Sequence, residues 1–285
     1  MKSTIEKPAA HNDARLLICR GCNKPFAPRE PIHQCRHVGG NYHKQCLLMM
    51  PTESTKQHRV IPGYTIEQPP HGYVRYIDHL GTDQRVVEAA RISYQSPSKG
   101  EEQDRKLLEY LFKNRHTSPF EQCNITFNIK FSIFLMRQFV RHRTFRLNEW
   151  SGRYSEMADE FFRPTTWRAQ DGKNKQGSTG ELDGQENLTR ICGSAYMASF
   201  DAYQSLLRHG VAKEQARFVL PVGIYTEIYV NCDLHNLLHF LRLREDGHAQ
   251  AEIQDVAHAM REIASQLFPW TFSAYDKFKF KMVEV

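Results

Sequence analysis

The residues best suited to chemistry lie in one block, residues 137–154, where an apolar run gives way to dense polar side chains. The block has the sequence RQFVRHRTFRLNEWSGRY. Gln138 and Arg141 are three residues apart, so on a helix their side chains lie on neighbouring faces and could converge on one ligand. Arg141, His142 and Arg143 then concentrate positive charge at the end of the apolar run. A buried helix end tolerates such charge only beside a neutralising anion.

The continuation of the block strengthens the prediction of an anion site. Glu149, Ser151, Gly152 and Arg153 offer a carboxylate, a hydroxyl, an approachable backbone and a guanidinium within a few residues. The alternative for the basic triplet is a solvated helix C-terminus that complements the helix dipole. Because packing alone does not require this mixture of groups, we favour a ligand site.

The elements that must position this block are predicted from periodicity. Alternation predicts strands at residues 73–78 and 125–130. Helical spacing predicts a capped helix at 82–91, a second helix at 101–114 and a buried helix at 131–140. Further along, we expect a short extended piece at 161–164, a surface loop at 168–187 and a helix from about 188 to 208, ended by Gly210.

The last third of the chain contains a helix with a clear core face. In the predicted helix over residues 233–244, four leucines recur at i, i+3, i+4 and i+7: Leu234, Leu237, Leu238 and Leu241. His235, His239 and Arg242 fall on another face, where they suit a planar ligand. Two histidines four apart also bind zinc on helices, but no third ligand is placed to complete that site. An amphipathic helix is predicted at 253–267.

Two pairs of metal-binding residue types stand near the N-terminus. Cys19 and Cys22 form a Cys-x-x-Cys knuckle, and His43 and Cys46 form a His-x-x-Cys pair, so the four can close a tetrahedral zinc site. The arrangement resembles treble-clef zinc domains. Cys35 and His37 lie between the pairs, either as a substitute ligand pair or as the remnant of a second site. The other interpretation is a redox-active or merely buried cysteine pair. So short a segment has little apolar surface, so it is expected to need the metal in order to fold.

Composition divides the chain and limits its class. We predict a mobile tail over 1–14, a zinc module over 15–50, a Pro-rich linker over 51–72 and a main domain over 73–285. The chain has 285 residues, 40% hydrophobic and 25% charged, which is typical of a soluble globular protein. No apolar run is long enough to span a membrane and no signal peptide is recognisable, so we expect a cytoplasmic protein without membrane contact. A net charge of +6 suits anionic ligands such as nucleotides.

The string RHRTFRLNEWSGRY resembles the signature of the flavin-dependent thymidylate synthases, the ThyX family, which has Arg-His-Arg, seven residues, then Ser-Gly-Arg-Tyr. Further segments that match are His116 to Gln122, Lys213 to Pro221 and the string LRLREDGHAQAEI, so the resemblance covers roughly residues 73–285. It implies an α+β fold, with a small antiparallel sheet packed with long helices. One departure is Arg146, which stands where the family usually has a small hydroxyl residue.

The resemblance also implies an activity. The family methylates dUMP to dTMP, taking the carbon from 5,10-methylenetetrahydrofolate and a hydride from FADH2, which NADPH regenerates. It further implies a homotetramer whose active sites draw on more than one copy of the chain. The zinc module has no place in this reaction, so we expect it to contact a partner protein or a nucleic acid.

Family positions for the site carry over residue by residue. Arg244 is the candidate catalytic residue, because a guanidinium near N3 and O4 of uracil would favour the deprotonated ring. The positions implied for the nucleotide are Gln138, Arg141, Glu149, Ser151, Gly152, Arg153, Arg217 and Arg244. Those implied for the flavin are Ser118, Arg141, His142, Arg143, Glu149, Asp233, His235 and His239.

Two other functions compete with this enzyme. A zinc-finger regulator could use the basic triplet to contact nucleic-acid phosphates, but the basic residues are interleaved with Glu149, Glu156, Glu245 and Asp246, which would repel a polyanion. A nucleotide-binding scaffold without turnover is the third hypothesis. The colour of a bound flavin would separate the enzyme from the regulator.

Overall fold

The structure, a computed structural model, describes residues 60–175 and 177–278 and two short strands, β1 (His33–Gln34) and β2 (Asn41–Tyr42). The chain divides into two units, Met1–Pro62 and Gly63–Val285. In the first unit β1 and β2 pair antiparallel. The predicted zinc ligands Cys19, Cys22, His43 and Cys46 lie outside the described residues, as does the predicted tail.

A five-stranded antiparallel sheet forms the centre of the second unit. Its strands stand in the order β3-β4-β5-β9-β6, and each pairs antiparallel with its neighbour. Their bounds are β3 Thr65–Gln68, β4 Gly72–Leu80, β5 Asn124–Ser132, β6 Arg146–Glu149 and β9 Tyr225–Asp233. The predicted α+β class and both predicted strands are therefore confirmed.

Strand β3 corrects the predicted linker. Residues 65–68 fall inside the expected 51–72 linker but pair with β4 from Thr65 opposite Arg75 to Gln68 opposite Gly72. A Cβ on Gly72 would meet the Lys130 carbonyl oxygen at 2.8 Å, so the bare glycine lets the chain turn back closely against β5. The sequence did not predict this strand, because its residues are mostly polar and prolines stand close to both of its ends. An edge strand tolerates both, since it needs only one apolar face.

Eight helices lie within the described residues. They are α1 Asp83–Arg91, α2 Glu101–Lys113, α3 Ile133–Phe139, α4 Gln185–Arg208, α5 Lys213–Ala216, α6 Leu234–Arg244, α7 Ala251–Leu267 and α8 Pro269–Phe278. The predicted core face of α6 is confirmed, since its four leucines are buried. Thr82 precedes α1, but its side chain makes no capping hydrogen bond, so that detail is wrong. No described helix is long and apolar enough to cross a membrane.

Helix α3 is shorter than the helix predicted over 131–140. Phe131 belongs to β5, which continues to Ser132 before the chain turns into α3. Val140 follows the helix and is 37% exposed. The continuous apolar run hid this change, because a strand buried on both faces and a buried helix have the same apolar composition.

The segment predicted as a surface loop at 168–187 is partly ordered structure. Strands β7 (Arg168–Gln170) and β8 (Ser178–Glu181) pair as an antiparallel hairpin, and α4 already begins at Gln185. The Gln185 amide closes the hairpin base, accepting from Trp167 N at 2.7 Å and donating to Trp167 O at 2.9 Å. These hydrogen bonds join a polar side chain to the backbone, so the sequence has no apolar periodicity here from which the hairpin could be predicted.

Asp83 ties the start of α8 to α1. Its carboxylate is 4% exposed and accepts from Trp270 N (2.7 Å), Thr271 N (3.0 Å) and Thr271 Oγ1 (2.6 Å). Burial raises the pKa of this carboxyl, and the three hydrogen bonds oppose that rise. Asp83 is therefore an N-cap supplied from another helix.

We expect Asp83→Ala to lower the free energy of unfolding by about 2–3 kcal/mol, because two backbone N–H groups would lose their buried acceptor. Urea unfolding measures the change. Asp183→Ala removes an exposed carboxylate and is the matched control, with an expected effect below about 0.5 kcal/mol. Equal effects of the two substitutions would contradict the capping role.

Candidate active site

The basic triplet follows α3 in a tight turn that separates its side chains. Arg141 N donates to Gln138 O at 3.3 Å, and His142 N donates to Phe139 O at 3.1 Å. As a result His142 points inward and is 8% exposed, whereas Arg141 and Arg143 are exposed. Within the described residues neither of these arginines forms an ion pair, so both guanidiniums are available to an anionic ligand.

A cavity of about 270 Å³ lies beside the second half of the block. It brings together four of the predicted nucleotide residues: Glu149, Ser151, Gly152 and Arg217. The other lining residues are Ile133, Trp150, Met157, Leu220, Pro221, Val222, Ile224 and Thr226. One cation, one anion and two hydroxyls on an otherwise mainly apolar wall are typical of a site for a small polar molecule.

Strand pairing fixes the position of Glu149, the acidic residue in the cavity lining. Glu149 is the last residue of β6 and lies opposite Ile228 of β9. Thr226, which is 2% exposed, donates from Oγ1 to Glu149 Oε1 at 2.8 Å. Trp150 N donates to Glu227 O at 2.8 Å, which holds the chain against β9 as it leaves β6. The carboxylate therefore has one oriented oxygen before any ligand binds.

The turn after β6 places Ser151 and Gly152. Ser151 Oγ accepts from Arg153 N at 3.3 Å, and Tyr154 N donates to Ser151 O at 3.0 Å. A Cβ on Gly152 would meet Met157 Sδ at 2.7 Å and Arg217 Cδ at 3.5 Å. The glycine therefore makes room for two cavity-lining side chains, in addition to leaving its backbone open to approach.

A small core behind the cavity anchors it to α4. Its buried members are Met157, Phe161, Tyr203, Ala216 and Ile224. The Tyr203 hydroxyl accepts from Met157 N at 2.9 Å, and Tyr196 stacks on Phe161 with ring centroids 4.6 Å apart. A Cβ on Gly223 would overlap the Tyr196 hydroxyl, so the wall between Val222 and Ile224 fits directly against α4.

A second group of predicted residues gathers where α3 and α6 end. Arg244 donates from Nε to His142 Nε2 at 3.1 Å. The His142 ring lies 4.8 Å from the Phe240 ring and 5.8 Å from the Phe145 ring, measured between centroids. Burial, then the neighbouring Arg244 and His239, lower the pKa of His142 to about 4, and burial lowers the pKa of Arg244. The imidazole is therefore neutral near pH 7.

His239, on the surface of α6, is a second histidine that lies beside an arginine. Its Nδ1 lies 3.4 Å from Arg242 Nη2, and its ring centroid lies 6.3 Å from that of His142. Burial, followed by Arg242 and His235, lowers the pKa of His239. His239, Arg242 and Arg244 of α6 thus lie beside His142 from the turn after α3. Two neutral imidazoles next to two guanidiniums suit a planar, anionic molecule.

Several predicted residues have other partners. Gln138 Nε2 donates to Gln250 Oε1 at 2.5 Å, and Arg153 Nε lies 3.7 Å from Glu214 Oε2. Asp233 caps α6, with Oδ1 accepting from Asn236 N at 2.9 Å and Oδ2 from Asn236 Nδ2 at 2.7 Å. Ser118 is exposed. The predicted ligand contacts of these residues stay predictions.

The structure therefore distributes the predicted site over two places. Glu149, Ser151, Gly152 and Arg217 line the cavity, whereas Arg244 lies with His142 and is absent from the lining described for it. Sequence reasoning missed Thr226, Tyr203 and Gln250. Thr226 and Tyr203 are 77 and 46 positions from the groups they orient, and no local pattern reveals such contacts.

Comparison with known proteins gives one consistent result. Residues 75–270 match the family model described as thymidylate synthase complementing protein. Flavin-dependent thymidylate synthases of Thermus thermophilus and Treponema denticola are each 44% identical to this chain. Each alignment covers 72% of this chain, together with 76% of the Thermus protein and 79% of the Treponema protein. The crystal structure of PolB, a UMP/dUMP methylase from Streptomyces cacaoi bound with 5-Br dUMP, aligns with a TM-score of 0.69 at 35% identity. The alignment covers 75% of this chain and 98% of the PolB chain.

His142 should make stability depend on pH. Its pKa is about 4 in the folded chain and 6.5 ordinarily, so between these values only the unfolded chain binds the proton. The free energy of unfolding should therefore fall as pH falls through this window, by at most about 1.4 kcal/mol per pH unit from this group.

Urea unfolding at several pH values within the window tests this expectation. His142→Gln should flatten the slope, and His258→Gln, which changes an exposed histidine of α7, should leave it unchanged. An identical slope in the wild type and in His142→Gln would refute the assignment.

Proposed function

The chain belongs to the flavin-dependent thymidylate synthase family, and from this premise we infer that it methylates dUMP to dTMP. The observation that carries the assignment to particular residues is the cavity lined by Glu149, Ser151, Gly152 and Arg217. Its lining contains Ser151 and Gly152 of the family signature, and Arg217 contributes from a distant segment of the chain. A nucleic-acid regulator is not favoured, because the relatives are enzymes.

We propose that the cavity holds the nucleotide. Arg217 supplies positive charge for the phosphate, and the backbone at Gly152 can approach it closely because no Cβ intervenes. The Ser151 hydroxyl adds a further hydrogen bond. Glu149, oriented by Thr226, is placed to accept from a sugar hydroxyl or a ring N–H. Ser151 is a binding residue in this scheme.

Arg244 is proposed to act on the pyrimidine ring. Carbon transfer to C5 requires an electron-rich ring, and a guanidinium beside N3 and O4 favours the N3-deprotonated form by charge pairing. Arg244 forms no ion pair among the described residues, so its charge is not already neutralised. The carbon donor is proposed to be 5,10-methylenetetrahydrofolate.

The groups near the ends of α3 and α6 fit FAD. Exposed Arg141 and Arg143 suit the pyrophosphate, and the neutral rings of His142 and His239 suit an aromatic ring system. The exposed hydroxyl of Ser118 and the polar face at His235 are further proposed contacts, together with Glu149 and Asp233. When bound, reduced FAD supplies the hydride that completes the methyl group, and NADPH is the proposed source of its electrons.

We propose that the two groups of residues meet in a homotetramer. In one chain Arg244 does not line the nucleotide cavity, so a complete site would draw on a second copy. Helix α4 supports such assembly, because Tyr203 is its one buried residue while Ile191 and Met197 are 56% and 66% exposed. Near the cavity Phe218 is 77% exposed. Apolar side chains this exposed are typical of interaction surfaces.

The first test is turnover. The purified protein should be yellow and should form dTMP when supplied anaerobically with dUMP, methylenetetrahydrofolate, FAD and NADPH. Arg244→Ala should lower kcat by at least about 100-fold while flavin absorption persists, because it removes a charge needed in the transition state. Ser151→Ala should weaken activity only several-fold.

Arg85→Ala is the matched control, since Arg85 is an exposed arginine of α1 that belongs to neither group. No dTMP from flavin-loaded protein would refute the function. A Ser151→Ala protein that binds dUMP normally but is inactive would restore a nucleophilic serine.

A second test concerns the proposed zinc module. A chain starting at Gly63 should keep flavin and activity, whereas one starting at Gly72 loses β3 and should unfold at lower urea concentration. Metal analysis of the full chain should find one zinc, bound by Cys19, Cys22, His43 and Cys46. Loss of activity in a flavin-loaded 63–285 chain, or absence of zinc in the full chain, would contradict the proposal.

A further inference from the structure

A buried histidine holds the guanidinium proposed to act on the substrate. We propose that His142 is a positioning residue for Arg244: its Nε2 accepts the Arg244 Nε–H and fixes the direction in which the two terminal nitrogens point. This inference rests on the proposed function, because it assigns Arg244 to the pyrimidine ring. It gives His142 a task separate from the flavin contact expected of it.

The hydrogen bond defines the state of the imidazole. Arginine can only donate, so His142 Nε2 must be the acceptor and the ring proton must reside on Nδ1. Protonation of Nε2 would break this bond and set two cations 3.1 Å apart. His239 and Arg242 lie on the adjoining face of α6 and add to the positive field around the ring.

The imidazole is itself rigidly placed. Phe240 and Phe145 pack against it, and the backbone of His142 is tied at both groups, with N donating to Phe139 O and O accepting from Phe145 N, each at 3.1 Å. A free arginine side chain carries about 2 kcal/mol of rotamer entropy. Anchoring Nε removes part of that freedom in advance and leaves both Nη groups for a planar, two-acceptor partner.

A neutral anchor is chemically distinct from the usual carboxylate. An aspartate at this place would orient the guanidinium but would also neutralise it, which would weaken its effect on the ring. Among the described residues no carboxylate pairs with Arg244. The histidine therefore orients the cation and leaves its full charge for the substrate.

A double-mutant cycle tests the coupling. The dissociation constant of dUMP is measured by calorimetry on flavin-loaded protein for the wild type, His142→Leu, Arg244→Ala and the double variant. We expect each single substitution to weaken binding about tenfold, and the double variant to match Arg244→Ala within about twofold, because His142 acts through Arg244. Multiplicative effects would overturn the proposal.

A rescue experiment separates positioning from packing. His142→Gln keeps a neutral acceptor and should restore kcat and dUMP affinity to within about threefold of wild type, whereas His142→Leu should not. His258→Leu, which replaces an exposed histidine on α7, should change neither. If Gln and Leu are equally impaired, the role is packing alone. If His142→Leu loses its flavin, the cycle is run with His142→Asn, whose side chain is too short to reach Nε.

The two hypotheses fail in different ways. A wild-type protein that makes no dTMP but shows the non-additive cycle would refute the function and keep the positioning role. A wild-type protein that makes dTMP with an additive cycle would keep the function and refute the positioning role.

Discussion

Two nine-residue strands, β5 and β9, pair along their whole length, and the chain passes from the end of each directly into a helix. Because the strands are antiparallel, α3 and α6 begin at opposite ends of a pair about 30 Å long. The helices run back toward each other, and α6 covers about 16 Å. Their C-terminal ends therefore meet, which is where His142 contacts Phe240 and Arg244. A slip of one residue in this register would move every side chain of the strand to the opposite face.

The electrostatics of the meeting point follow from burial as much as from charge. Guanidiniums keep their proton almost anywhere, whereas imidazoles lose theirs when buried beside cations. His142 and His239 are consequently uncharged acceptors between arginines. The arginines gain direction without losing positive potential, which suits anionic ligands such as the proposed nucleotide and flavin.

The sequence was most informative where one residue type repeats with a helical period. The leucines of α6 and the apolar face of α7 have no suitable place except the core, so these helices were predictable. Strand β3 and the β7–β8 hairpin were not, because they are held by backbone pairing and by amides such as Gln185. Two separate family segments predicted Glu149 and Arg217 as site residues, but the supporting Thr226 and Tyr203 come from parts of the chain that no motif marks. The sequence does not reveal that the predicted site residues fall into two groups, because that separation depends on how the chain folds.

Met157 shows how closely the side chains are packed around the proposed nucleotide cavity. Its sulfur lies 2.7 Å from the place that a Cβ on Gly152 would take, and it shares the cavity wall with Arg217. A thioether is readily oxidised, and its sulfoxide is larger and polar. One added oxygen atom at Met157 would press on the turn at Gly152 and on the small core beneath it. Oxidative damage at this single sulfur would thus reach the proposed nucleotide site directly, and a methionine sulfoxide reductase would reverse it.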